Sequence, residues 1–400
     1  MSACSEVFCQ LDHWLTKLRP YWQFMPFACP DYPWRDSLPA LAEWLDDLPE
    51  AEIARLLADP KALTLALSPY LPEIENLAQL TALPELPART RSQQSWPRNL
   101  DAGIPGRKWH QILAFHAAIP VNGLPWLEWC AGKGYLGRVL AAADHQPVVS
   151  LEWQHTLCTE GQAMAKRLSL PMTFQQGDAF SPESAALVQP AQHAVALHAC
   201  GDLHVTLLQQ VVARQAKAVS ISPCCYHLIR AAQYEPLSEP AKASQLVLTK
   251  HDLRMPLQET VTAGQRVRKQ RFVEVSFRLG FDALQQSLQH TDEYLPVPNV
   301  QKALLQEGFE AFCQWAAEKK GIQLPNGIDY RHWQQAGEHR FHRVERMELI
   351  RQVFRRPLEL WLVYDRAMLM AQAGYQVSVG TFCDKPITPR NILIHAQLEK

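Results

Sequence analysis

Apolar residues fall three and four apart through LPALAEWLDDL (38–48) and EAEIARLLADPKALTLAL (50–67), the spacing of amphipathic helices. Asp59-Pro60 punctuates the second stretch. The first 85 residues, rich in Leu, Ala and Trp, therefore predict a helical region. Residues 84–107 lose periodicity and carry Pro and Arg, which predicts a linker, and 108–118 predict a short helix. From residue 124 the pattern changes to short apolar runs at 124–129, 147–152, 172–175, 194–199 and 217–222, with helical stretches between. That alternation predicts a parallel sheet covered by helices on both faces. The rhythm stops at 230. A strand at 272–278, a helix at 300–319 and a long helix at 343–373 are expected, then a closing hairpin from 375–384 and 391–397.

The expected organisation is an N-terminal helical region and linker (1–100), an α/β domain built from 101–229 and 343–400, and an insertion (230–342) that recognises substrate. The fold class is α/β, a doubly wound sheet with a terminal antiparallel hairpin. No internal repeat is visible.

The chemistry concentrates in LEWCAGKGYLGRVLAAADHQPVVSLEW (127–153), where a strand runs into a glycine-rich turn, a helix and a second strand ending in Glu152. This layout suits a nucleotide-like cofactor. A phosphate-binding P-loop is excluded, because Lys133 lies between Gly132 and Gly134 and no Ser or Thr follows it. Gly132, Gly134 and Gly137 fit G-x-G-x-x-G with Glu152 as a ribose-binding acid, so a dinucleotide and an NAD-dependent oxidoreductase compete. Glu128 argues against them. An acid at the mouth of the first strand repels a pyrophosphate but suits the sulfonium and ammonium of S-adenosylmethionine. Glu152 would accept both ribose hydroxyls, and Asp178, after the third strand, the adenine amino group. Lys133 is a candidate for the cofactor carboxylate or a substrate phosphate.

The fourth strand ends in ALHACGDLH (196–204) and the fifth in SPCCYHLI (222–229). Carboxyl ends of neighbouring strands meet at the crevice of a doubly wound sheet. His198, Cys200, Asp202, Cys224, Cys225 and His227 should therefore converge there. His198 or Asp202 is the candidate base for a hydroxyl acceptor. A cysteine, Cys200 or Cys225, would attack only with a lowered pKa. No metal is expected: there is no C-x-x-C pair, and adjacent Cys224 and Cys225 on a strand would point to opposite faces.

AGKGYLG (131–137), LHACGDL (197–203) and CCYH (224–227), in this order, resemble one class I methyltransferase domain type. It occurs in the glutathione-S-transferase-C-terminal-domain-containing protein, in a group of methyltransferase-like proteins and in tRNA ribose 2′-O-methyltransferases. The segment 365–394 is similar to the end of that domain. The resemblance implies S-adenosylmethionine as cofactor, with contacts at Gly132, Gly134, Glu152 and Asp178. It implies that the His198–Cys200–Gly201 and Cys224–Cys225–His227 segments form the reaction face. Cys130 stands where that family carries its first glycine, and the zinc knuckle of the tRNA enzymes is not recognisable.

Composition narrows the partners. Net charge is −1 over 400 residues, so no global field for polyanions exists. RNA, the expected substrate, would be met by local basic patches at 266–271 (RVRKQR) and 339–356. A small molecule or a protein is the alternative acceptor, and a non-catalytic binding module the alternative to an enzyme. The aromatic stretch 21–34 could stack on bases or pack a core. Ten cysteines without secreted-type spacing, no signal peptide and no apolar run near the ~18 residues of a membrane span predict a soluble, cytoplasmic protein with reduced thiols. No membrane contact is expected, and the oligomeric state stays open.

Overall fold

The computed structural model describes residues 3–89, 97–257 and 265–399. The chain divides into two compact units. The first comprises Met1–Thr16, Gln79–Glu259 and Arg356–Lys400, and the second Lys17–Ala78 and Thr260–Arg355. This partition crosses the linear boundaries at 100, 229 and 342 instead of following them.

The first unit holds a seven-stranded sheet: β1 (Trp126–Trp129), β2 (Val148–Glu152), β3 (Met172–Gln176), β4 (His193–Ala196), β5 (Ala218–Ile221), β6 (Tyr375–Thr381) and β7 (Ile392–Leu398). Their order is β3-β2-β1-β4-β5-β7-β6. The first five are parallel, and β7 runs antiparallel to both β5 and β6. Every residue of β1, β4 and β5 is buried, as expected for a parallel sheet covered on both faces. Chain order reverses on either side of β1, so the crevice at the carboxyl ends opens there. This is the doubly wound α/β sheet expected from the alternating runs, with the antiparallel hairpin expected at its end. The linker reading falls partly on residues 90–96, outside the described residues. Of the rest, Leu86 N–H donates to the Thr381 carbonyl at 2.9 Å, which ties that segment to the end of β6.

Two buried polar networks lock this unit. Asp365 is fully buried and accepts from Tyr234 Oη (2.6 Å), Leu237 N (3.0 Å), Ser238 N (2.7 Å) and Ser238 Oγ (2.6 Å). Arg366, also buried, donates from Nε to His204 Nε2 at 2.7 Å and lies over the rings of Tyr226 and Tyr234. That bond makes His204 Nε2 the acceptor, so Nδ1 carries the proton and donates to the Ala199 carbonyl at 2.8 Å. Across the sheet, His193 (β4), Ser220 (β5) and His395 (β7) form a hydrogen-bonded chain of 2.9 and 2.8 Å. The N-terminal helix Ala3–Lys17 brings Phe8 against Trp361 and Asp12 to Trp361 Nε1 (2.8 Å), so residues 3–16 pack with the sheet unit.

The second unit is helical. Helices Pro39–Asp46, Glu50–Ala58 and Pro60–Leu67 match the periodicity of 38–67. The strand expected at 272–278 is instead part of the helix Gln265–Gln289. The alternation in FVEVSF is too short a window: Phe277, Phe281 and Leu284 repeat four and three apart and pack with Phe309 and Phe312. The single helix expected at 300–319 is two, Lys302–Gln306 and Phe309–Lys320, broken at Gly308 with φ +99°. The long helix begins earlier, spanning Tyr330–Gln372. Gly337 lets it approach the Gln265–Gln289 helix, since a Cβ there would lie 2.1 Å from the Ser276 carbonyl oxygen. The aromatic stretch is core: Trp22, Tyr32 and Trp34 are buried, and Tyr21, Phe24 and Tyr32 pack around Trp34. No helix among the described residues is long and apolar enough to cross a membrane.

Asp365→Ala leaves four donors facing an apolar void. It should lower stability by about 3–5 kcal/mol in urea denaturation, and a loss below ~1 kcal/mol would show that the donors find other partners.

Burial also holds imidazoles neutral: His193 and His204 are pushed well below the usual value, and His395 to about 4. Such groups stabilise the fold above their unfolded pKa of about 6.5 and lose that contribution as pH falls towards the folded values. Glu128, raised to about 7 by burial, works in the opposite direction, one group against three. The urea midpoint should therefore fall between about pH 7 and 5.5; a rising midpoint would mean the imidazoles are charged inside the fold.

Candidate active site

The turn after β1 is built from left-handed residues. Cys130, Gly132 and Gly134 have φ of +57°, +60° and +67°. Ala131 N–H donates to the Leu151 carbonyl (2.8 Å) and Gly134 N–H to the Ala131 carbonyl (2.9 Å). Cys130 adopts this conformation without being glycine, at a cost in strain. A Cβ on Gly132 would meet nothing within 4 Å, so its backbone faces open space where a ligand can approach. Glu152, at the end of β2, accepts from Gly132 N through Oε2 (2.8 Å) and from Gln154 N through Oε1 (2.9 Å). Each oxygen keeps a second lone pair for a ribose hydroxyl.

Two expected cofactor contacts are placed differently. Glu128 is turned into the protein, with Ser150 Oγ donating to its Oε2 at 2.7 Å and the helix Tyr135–Asp144 over it. Burial raises its carboxyl to about 7, against the pull of Ser150, the Gly137 N–H, Lys108 and Arg138. It is 4% exposed and supports the turn from below. Lys133 Nζ pairs with Glu160 Oε2 at 2.6 Å on the surface, which turns it to a neighbouring helix and not to an anionic ligand. Asp178 is half-buried after β3, with Oδ1 accepting from Phe180 N at 3.0 Å. Burial pushes the Cys130 thiol up to about 12, with the charges of Glu152, Cys200 and Asp178 adding to it. Those four groups follow four strands, close enough for charge on one to act on another.

Of the expected reaction-face residues, Cys200, Cys224 and Cys225 come together, whereas His198 lines one recess and Asp202 another. Cys200 and Cys224 form an isolated parallel bridge beyond β4 and β5, and Gly201 N–H donates to the Cys224 carbonyl at 3.1 Å. Gly201 is required there: φ is +56°, and a Cβ would lie 2.1 Å from the Leu228 carbonyl oxygen. Asp202 opens the helix Asp202–Arg214, and its Oδ2 accepts from Arg230 N at 2.7 Å, so one oxygen is already engaged. The expectation that Cys224 and Cys225 diverge is overturned. Neither lies in a strand, because β5 ends at Ile221 and Cys225 has φ +49°. The thiols of Cys200, Cys224 and Cys225 all lie within 4.8 Å of one another. Hydrogen bonding from Cys224, then Cys200, Arg390 and His227 lower the Cys225 thiol against its burial, while Cys224 is driven up by its two neighbouring thiols and burial. His227 is half-buried, and its Nδ1 has no hydrogen-bond partner.

His198 opens onto a recess of about 290 Å³ that sequence reading missed. Arg107, Lys108 and Arg390 line it with Gln111 and Thr388. None of the three cations has a carboxylate partner among the described residues. Desolvation, then Lys108 and Arg390, lower the His198 imidazole to about 4, although one side stays open to solvent. It is therefore a neutral acceptor at pH 7. Arg107 and Lys108 begin one helix and Arg390 sits in the hairpin turn, so only the tertiary fold joins them.

The basic patches lie outside this site. Arg266, Arg268, Lys269 and Arg271 are exposed at the start of the helix Gln265–Gln289. Over 339–356 most arginines are internal donors: Arg340 to Asp282 (2.8 Å), Arg346 to the Leu45 and Leu48 carbonyls, and Arg351 to the Trp22 carbonyl.

Residues 107–232 match a family described as a methyltransferase domain. The first unit carries a class I methyltransferase domain. S-adenosylmethionine is its methyl donor, which removes the dinucleotide alternative. No curated protein matches the chain. Among solved structures, the chain is similar to the precorrin-6Y C5,15-methyltransferase of Geobacter metallireducens (10% identity, 30% of this chain and 63% of that one, TM-score 0.25). It is also similar to WbdD (17%, 37% and 35%, TM-score 0.23) and to coclaurine N-methyltransferase bound to N-methylheliamine and SAH (14%, 72% and 94%, TM-score 0.25). The chain thus spans less than two thirds of the first two. At these TM-scores none of the likenesses bears on substrate or chemistry.

Glu152→Ala removes an acceptor that fixes Gly132. A charge-assisted hydrogen bond contributes about 1.5–3 kcal/mol, so calorimetric affinity for S-adenosylhomocysteine should fall at least about tenfold. A loss under about twofold would remove Glu152 from the cofactor site.

Proposed function

We propose that the protein is a cytoplasmic S-adenosylmethionine-dependent methyltransferase acting on RNA, with tRNA and rRNA as the first candidates. The observation that carries this reading is the recess beside His198. Arg107, Lys108 and Arg390 converge there without carboxylate partners, an arrangement suited to a phosphate next to the reacting group. The exposed cations of 266–271 add a second surface for a polyanion.

In this reading the turn at Cys130, Gly132 and Gly134 holds the donor, with Glu152 on its ribose and Asp178 on its adenine. Methyl transfer is an in-line displacement at the sulfonium carbon, and positioning supplies much of the acceleration. His198, neutral at pH 7, accepts the proton of a hydroxyl acceptor. Asp202 and His227 frame the acceptor from the neighbouring loops.

Tritiated methyl transfer to RNA from a strain lacking the protein should give counts that nuclease releases. Counts confined to protein or to small molecules would overturn the RNA assignment. Lys108→Ala with Arg390→Ala should raise the KM for RNA at least about tenfold while S-adenosylhomocysteine affinity stays within about twofold. Loss of cofactor affinity instead would mean that the recess holds the carboxylate of the donor.

A further inference from the structure

Cys200 follows β4, and Cys224 and Cys225 follow β5, yet their three Sγ atoms lie within 4.8 Å of one another. The Cys200 and Cys224 sulfurs are 3.7 Å apart. A disulfide needs about 2.05 Å. In a tetrahedral zinc site with Zn–S bonds of about 2.3 Å, neighbouring sulfurs are about 3.8 Å apart. The Cys200–Cys224 separation is close to that edge, and the third sulfur lies within 4.8 Å of both.

The backbone is shaped to produce it. The bridge between Cys200 and Cys224 sets two sulfurs side by side. The left-handed conformation of Cys225 breaks the alternation that would turn the third away. Gly201 permits the close approach of the 225–228 turn, since Leu228 O would meet any Cβ there, and Asp202 N–H donates to that same oxygen at 3.1 Å. Cys224 is 4% exposed, whereas Cys200 and Cys225 are half-buried, so the cluster is closed on one side and open on the other.

We propose that Cys200, Cys224 and Cys225 form a three-thiolate site for a zinc ion. No fourth ligand atom joins the cluster among the described residues, which leaves one position for water or a substrate atom. Three protein ligands and an exchangeable fourth is the form of catalytic zinc sites, where the metal lowers the pKa of what it binds. Cys200 also lies just beyond β4, the neighbour of β1 in the sheet. The ion would therefore activate the acceptor, a consequence that rests on reading the crevice as the transfer site. The ion's presence does not.

The test is metal analysis of the full chain, grown with added zinc and dialysed against chelator. About one zinc per chain is expected, retained in Cys9→Ser and lost in Cys200→Ser and Cys224→Ser. Cobalt added to the metal-stripped wild type should give a thiolate-to-cobalt charge-transfer band and the intense visible absorption of tetrahedral cobalt. That measurement decides the question even if the serine variants fail to fold. Wild type without zinc and without the charge-transfer band would overturn the proposal. So would zinc retained in both folded serine variants, or a Cys200–Cys224 disulfide in a non-reducing peptide map of the freshly purified protein. Neither measurement involves methyl transfer, so failure of the substrate assignment would leave this result unchanged.

Discussion

The site depends on a helix lying closer to the sheet than side chains normally permit. The helix Tyr135–Asp144 is seated where Gly134 and Gly137 lack a Cβ. One added at 137 would lie 2.5 Å from Glu128 Oε2, and one at 134 would lie 2.3 Å from Met172 Cε. That contact buries Glu128 against Ser150 and sets where the turn after β1 begins. Once the turn is fixed, Gly132 N–H can reach Glu152, and Cys130 faces the ends of β3 and β4. A side chain at 137 would push against Glu128 and Met172, and one at 134 against Met172 and Phe174.

Charge in this protein is divided by burial. Arginines that look alike in sequence do different work. Arg340, Arg346 and Arg351 satisfy carbonyls or carboxylates within the helical unit, and Arg366 is sealed in the sheet unit with His204 and two tyrosines. A guanidinium has five donors and cannot neutralise itself by losing a proton, so a buried one needs several partners; these have them, although Arg340 Nε, Arg351 Nη2 and Arg366 Nη2 stay unpaired. Near His198, Arg107 and Arg390 have no carboxylate within ion-pair distance among the described residues, and Lys108 lies over the Tyr135 ring. That contrast separates structural arginines from candidate ligand-binding ones, and the linear pattern of basic residues does not reveal it.

The loops after β4 and β5 place thiols, imidazoles and a carboxylate at the carboxyl ends. Their conformations are unusual: Gly201 has a positive φ, and so does Cys225, which is not glycine. Holding Cys225 there costs on the order of 1–3 kcal/mol. The hydrogen bonds between the loops maintain it, and the conformation brings three sulfurs together.

The sequence by itself determined the periodic part of the molecule. Apolar runs of four to five residues between helical stretches specify β1, β2, β4 and β5, because a parallel sheet buried on both faces tolerates little else, while the edge strand β3 is MTFQQ and mostly exposed. Glycines before a helix specify the turn, and acids at 128 and 152 mark its two flanking strands. It misjudged the 272–278 segment, since six residues can satisfy periods of 2 and 3.6 at once and only packing of Phe277 and Phe281 on Phe312 decides between them. The tertiary structure alone decided which way Glu128 faces, that Lys133 is taken by Glu160, that Arg390 joins Lys108 across 282 residues, and that adjacent cysteines turn to the same side. These outcomes depend on partners distant in the chain or on a single backbone dihedral, and neither leaves a periodic trace in the sequence.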